Sequence, residues 1–282
     1  MKLRLYHHHD GARIAYREAG TGPGLVMLHS AGLSHREWEP LVEHLSHRFR
    51  LVLPDLPGHG DSEDRPRHPY TPDWLAEVIA GFCLETVGPR PLAAGHSLGA
   101  ELLLRAVVSG RMTPARLVLM PNPLHGQPPR SLTLTTWRVA ARAGALPGVD
   151  RAISHLAPRV IRPQLGPRLS VRGEPAAADL LRHAFADVPG NSNRARAWAK
   201  LARAWPPTAQ RQLLDCYQRL DMPVLLLWAD SDRLHPLPPA EEALARLPRG
   251  QLRVLAGTGF LIAYDDPVGV ARELSAFCGA RE

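Results

Sequence analysis

The chain has 282 residues, 45% of them hydrophobic, so one large α/β domain with or without an insertion can bury its core without staples; Cys83, Cys216 and Cys278 are too scattered for a disulfide framework or a paired-cysteine zinc site. The net charge of +7 is carried almost wholly by arginine, with Lys2 and Lys200 the only lysines, and with no basic run or recognisable motif it argues against a nucleic-acid partner. The opening residues MKLRLYHHHDG lack a signal-peptide apolar run and no stretch approaches the roughly 20 apolar residues of a membrane helix, which predicts a cytoplasmic protein without a membrane partner.

Leu3 to Tyr6 and Ala12 to Tyr16 read as an opening hairpin. Buried-strand candidates follow at Leu25 to His29, Arg50 to Pro54, Pro91 to Gly95 and Leu117 to Met120, separated by helical segments near 34–46, 72–86 and 98–109. This alternation predicts a mostly parallel central sheet flanked by helices. From Pro123 the β-rich runs stop and the period becomes helical, so 123–217 reads as an inserted helical cap between core halves 1–122 and 218–282. That segment holds 14 Arg and Lys against 5 Asp and Glu, a local net charge of +9 that leaves −2 for the rest. Within it Trp198, Leu201, Ala202 and Trp205 share one helical face, as packing onto the core or as a wall over a pocket, while Arg196, Lys200 and Arg203 take the solvated face. Strand character returns at Val224 to Trp228 and Leu252 to Leu255, and a last helix spans roughly Pro267 to Cys278.

Gly95-His96-Ser97-Leu98-Gly99 stands between a buried strand and a helix. A serine on so sharp a turn needs glycines on both sides for clearance, and the helix N-terminus behind it favours developing negative charge. Ser97 is therefore the candidate nucleophile.

In this strand-turn-helix setting the chain resembles the α/β-hydrolase family, in its cap-bearing esterase and epoxide-hydrolase-like branch. His29-Ser30-Ala31-Gly32 resembles the family's His-Gly oxyanion loop, with Ser30 where glycine is usual, and Asp55-Leu56-Pro57-Gly58-His59-Gly60-Asp61-Ser62 resembles its D-x-x-G-x-G-x-S turn. The resemblance implies an oxyanion hole from the backbone N–H groups of Ala31 and Leu98. It implies the acid at Asp232, in Trp228-Ala229-Asp230-Ser231-Asp232, with a weaker claim for Asp230; the alternative acid position holds Asn122. Serine at the elbow disfavours epoxide and haloalkane hydrolysis, whose branches carry aspartate there.

The resemblance breaks at Ala256-Gly257-Thr258-Gly259-Phe260-Leu261, where Phe260 occupies the position of the family's histidine and no histidine follows. A phenyl ring cannot take the serine proton. Three readings follow: a serine hydrolase impaired by nature or by engineering; one in which another histidine acts as base, with His235 the first candidate and His125 and His183 behind it; or a scaffold turned to non-hydrolytic lyase or cyclase chemistry or to ligand binding. His29 and His96 match family histidines that support backbone. Ser30, His29 and His125 are candidates for substrate contact. The first choice is hydrolysis of a carboxylic ester, lactone or thioester through Ser97, with no cofactor and no metal implied.

Overall fold

The computed structural model describes residues 1–127, 169–173, 175–184, 186, 191–206 and 208–280. Much of the expected cap, 128–168 above all, lies outside the described residues.

Eight strands form one sheet: β1 (Lys2–His7), β2 (Arg13–Ala19), β3 (Gly24–Leu28), β4 (Arg50–Pro54), β5 (Leu92–Gly95), β6 (Arg116–Leu119), β7 (Val224–Ala229) and β8 (Gly250–Leu255). Their spatial order is β1-β2-β4-β3-β5-β6-β7-β8. β1 pairs with β2 and β2 with β4 antiparallel; every later pair is parallel. The C-terminal ends of β3 to β8 therefore share one edge of the sheet, where α/β folds place their ligand sites. The opening hairpin and the mostly parallel sheet thus both appear.

Strands buried on both faces need apolar residues at every position, and β7, VLLLWA, is buried throughout. Odd and even positions then enter different cores. Val26, Leu28, Val52, Leu226 and Trp228 pack with Leu75, Ile79, Phe82, Leu102 and Leu103 of α2 (Pro72–Thr86) and α3 (Leu98–Val108). Leu25, Met27, Leu51, Leu225 and Leu227 pack with Leu41 and Leu45 of α1 (Glu39–Leu45) and with Val270, Leu274 and Phe277 near the C-terminus.

Of the segment 123–217, three α-helices, α4 (Pro175–Ala184), α5 (Ser192–Ala204) and the single turn α6 (Leu214–Tyr217), and a 3₁₀ turn at Arg211–Leu213 are described. α5 docks on the loop after β4. Trp198 Nε1 donates to Gly58 O at 2.8 Å, Arg194 to Gly60 O at 2.8 Å and Asn191 Nδ2 to Asp64 at 2.8 Å. Trp205 Nε1 reaches the Glu101 carboxylate on α3. Both indoles thus fasten this segment to the core. Lys200, expected on the solvated face, departs from that expectation: its ammonium donates to His68 O at 3.0 Å and to Pro66 O, because the loop carbonyls need donors. The chain closes with α7 (Pro238–Leu244), α8 (Ile262–Asp265) and α9 (Pro267–Cys278). No described helix is long and apolar enough to cross a membrane.

Candidate active site

The turn between β5 and α3 forces Ser97 into φ 48°, ψ −112°, a region that costs a non-glycine residue roughly 1–3 kcal/mol. The flanking glycines are sterically required: a Cβ on Gly95 would lie 2.6 Å from Ala100 N, and one on Gly99 would lie 2.3 Å from Leu28 O. Ser97 N donates to Pro121 O at 3.0 Å, fixing the turn against the end of β6. His96 and Leu98 are buried, and Ser97 between them is partly open.

The loop after β3 turns at Ser30 to Leu33, closed by Leu33 N donating to Ser30 O at 3.2 Å with Gly32 at φ 78°. Neither the Ala31 N–H nor the Leu98 N–H has a hydrogen-bond partner among the described residues. Behind this loop sits the side chain of Glu37, 1% exposed. Its Oε2 accepts from Ser30 N at 2.7 Å and from Ser30 Oγ at 2.8 Å, and its Oε1 is bonded to His96 Nδ1. Burial pushes this carboxyl up, but the His96 charge and hydrogen bond, with the Ser30 donors, pull it below its ordinary range.

Beyond β7 the two aspartates separate in role. Asp232 is buried; its Oδ1 accepts from Leu234 N at 2.7 Å and its Oδ2 from His235 Nδ1 at 3.0 Å. That bond places the His235 proton on Nδ1 and leaves Nε2 as the lone-pair nitrogen. Trp228 Nε1 donates to His235 O at 2.9 Å, holding the loop. Burial draws the His235 pKa below its ordinary value, outweighing the opposing hydrogen bond and charge of Asp232. Asp230 is exposed and clasps the neighbouring loop instead, accepting from Gly257 N at 2.9 Å and Thr258 N at 3.3 Å.

Phe260 lies between two imidazoles: its ring centroid is 4.5 Å from that of His96, in a tilted pair, and 5.6 Å from that of His235, in a stacked one. It joins Leu33, Leu169, Leu180, Leu181 and Leu261 in a third apolar cluster between the core loops and α4. The segment is pinned by Asp265, which accepts from Gly259 N at 2.7 Å, Ser170 Oγ at 2.6 Å and Val171 N at 3.1 Å. Leu261 N donates to Leu169 O at 2.7 Å. One sheet edge thus gathers a strained serine, two unpartnered N–H groups and an aspartate-bound imidazole, parts that suit acyl transfer.

A model described as the alpha/beta hydrolase family matches residues 25–273. The chain belongs to the α/β hydrolase family. This α/β hydrolase is 30% identical over 276 residues to a pimeloyl-[acyl-carrier protein] methyl ester esterase of Xanthomonas campestris, covering 93% of this chain and 97% of the other. It is 27% identical over 277 residues to an uncharacterized protein of Mycobacterium tuberculosis, covering 95% of this chain and 77% of that one. Among solved structures, a thermophilic esterase from Thermogutta terrifontis matches with a TM-score of 0.80 at 22% identity, over 99% of this chain and 98% of the other, a likeness of fold.

Other candidate residues of this hydrolase lie apart or serve the backbone. His29 is buried with both ring nitrogens occupied: Nε2 accepts from Leu56 N at 2.9 Å and Nδ1 donates to Ser30 O at 2.8 Å. His125 is held by Glu242 at 3.0 Å and by Tyr217 Oη at 3.4 Å, and none of its bonds among the described residues reaches Ser97, Asp232 or Phe260. His183 is exposed on α4 and donates to Asp179 O at 2.9 Å. Asn122 is buried and spans its own loop, from Met120 O at 2.7 Å to Leu124 N at 2.8 Å. His35, Asp55 and Asp61 have the proximity of metal ligands, but the Asp55 carboxylate is taken up by His35 N, His35 Nδ1 and Asp61 N.

Sequence reasoning missed Glu37 and Asp265. Ser34-His35-Arg36-Glu37 has the spacing of a capping box, which would send the Glu37 side chain back to residue 34. It turns inward to Ser30 and His96 instead. Asp265 meets residues 93 to 95 positions away, and no local pattern announces that contact.

Proposed function

We propose that this chain is a serine hydrolase acting on a carboxylic ester, lactone or thioester through Ser97, with His235 as the base in place of the family's histidine and Asp232 orienting it. The observation that carries this reading is the buried Asp232–His235 bond of 3.0 Å with the His235 ring stacked on Phe260. An imidazole bound to the expected aspartate borders the position from which the histidine is missing, and a phenyl ring fills that position.

In this mechanism Ser97 Oγ attacks the carbonyl carbon while His235 Nε2 takes its proton. The Ala31 and Leu98 N–H groups receive the oxyanion, and Asp232 steadies the imidazolium. Collapse expels the alcohol or thiol, which takes the proton from His235. Water, deprotonated by the same nitrogen, then releases the acid and restores Ser97. No cofactor enters the sequence.

The described α4 serves as part of a cap beside this site, and the cluster of Leu33, Leu180, Leu181 and Phe260 favours an apolar small-molecule substrate. The ester class is supported by the full-length relative at 30% identity, named a methyl ester esterase. The test is p-nitrophenyl butyrate turnover by the wild type, Ser97→Ala and His235→Ala. Loss in both variants upholds the reading. Turnover that survives Ser97→Ala removes the acyl-enzyme, and turnover lost only with Ser97→Ala returns the base to another residue.

A further inference from the structure

Two loops must be held in register for an oxyanion hole to work, because its two donors come from different parts of the chain. Here each donor lies inside a turn. Ala31 follows Ser30, whose carbonyl accepts from Leu33 N at 3.2 Å; Leu98 lies two residues after His96, whose carbonyl accepts from Gly99 N at 2.8 Å. Ser30 and His96 are the residues on which those turns close, and both are bonded to the carboxylate of Glu37. Among the described residues, no other side chain hydrogen-bonds to both loops.

We propose that Glu37 is a positioning residue for the reaction at Ser97: its two carboxylate oxygens tie the loop after β3 to the elbow and set the spacing between the Ala31 and Leu98 N–H groups. This rests on the reading of Ser97 as an acylated nucleophile. A carboxylate 1% exposed is costly to bury unless donors surround it, and three do: two from Ser30 and one from His96. Its charged state strengthens each bond, making the link between the loops stiff. The arrangement also gives Ser30 a task. Glycine at position 30 would keep the backbone N–H bond to Glu37 and lose the hydroxyl bond.

Donors that drift relative to each other still permit substrate to bind, but they stabilise the transition state less. The effect of loosening the link therefore falls on kcat and leaves KM in place. The experiment measures p-nitrophenyl butyrate kinetics for the wild type, Ser97→Ala, Ser30→Gly and Glu37→Gln, with circular dichroism and thermal melts on each. Glu37→Gln is expected to lower kcat about 10²-fold and Ser30→Gly about 3- to 10-fold, each with KM within about 2-fold of wild type. Ser30→Gly decides the matter alone if Glu37→Gln does not fold. Folded variants with unchanged kcat, or with a raised KM alone, overturn the assignment while turnover lost in Ser97→Ala leaves the serine-hydrolase reading standing. Absence of Ser97-dependent turnover in the wild type overturns that reading and this inference with it.

Discussion

The loops that follow β7 and β8 divide an imidazole and a phenyl ring between them in an unfamiliar way. The β8 loop is held by Asp230 through Gly257 and Thr258 and by Asp265 through Gly259, and it carries Phe260. The β7 loop keeps Asp232 and adds, three residues on, a histidine whose Nδ1 it binds. The rings of His235 and Phe260 stack at 5.6 Å, so the two loops meet over one small volume. On the reading proposed above, the base comes from the end of β7 and not from the loop after β8.

The largest expected effect tests which loop carries the base. His235→Ala is expected to lower kcat by about 10³ to 10⁴ on p-nitrophenyl butyrate. Phe260→His added to His235→Ala should recover much of that loss, while Phe260→His alone changes little. A large gain from Phe260→His alone, with His235→Ala silent, would reverse the assignment of the two loops. Next, Asp232→Asn is expected to reduce kcat by about 10² or more, because an amide favours the wrong imidazole tautomer. Asp230→Asn should leave kcat within about 2-fold and lower the melting temperature slightly, because its bonds hold the β8 loop and its side chain is exposed.

A smaller effect concerns pH. His235 serves as a base only when neutral, and burial draws its pKa below the ordinary 6.5. The acid limb of kcat/KM should therefore fall at a pH below about 6.5, with full activity at 7 and above. The smallest separates that limb from an unrelated titration. Burial raises the Glu101 carboxyl to about 7, against the pull of the Trp205 hydrogen bond and the Arg105 charge. Its folded pKa exceeds the unfolded value of 4.5, so the folded state holds the extra proton, and stability falls as pH rises from about 4.5 to 7. Glu101→Gln is expected to flatten that slope in thermal melts at pH 5 and 8 and to leave the acid limb where it was.

Local chemistry made much of this fold legible. The bounds of β4, α2 and α9 match the sequence reading because their ends are written nearby: Thr71 and Asp266 cap α2 and α9, and Pro72 and Pro267 fit their first turns. β2 runs three residues further than expected, to Ala19, because Arg17 to Ala19 pair with Leu51 to Leu53 across the sheet. β8 begins two residues earlier, at Gly250, for the same reason, since it pairs with Val224. The segment expected to be helical over 34–46 divides into a 3₁₀ turn at His35–Trp38 and α1, with Pro40 at the start of α1. Of the proposed site, Ser97 and Asp232 are legible as candidates in short motifs, and Phe260 as the residue at which the resemblance breaks. The bond from His235 to Asp232 was within reach of their spacing, but the ring contact with Phe260 was not. Glu37 lay hidden because its partner His96 is 59 residues away and only the stacking of β3 beside β5 brings them together.

The elbow also carries a cost to folding. Ser97 sits at φ 48°, where glycine would rest without strain. Even after subtracting about 1 kcal/mol for the greater freedom of an unfolded glycine, Ser97→Gly is a substitution that folding alone would tolerate or favour. Used only as a container, this scaffold would gain nothing in stability from keeping a side chain at position 97. The strain at Ser97 is thus a cost to folding that, on the proposed reading, the work of its hydroxyl offsets.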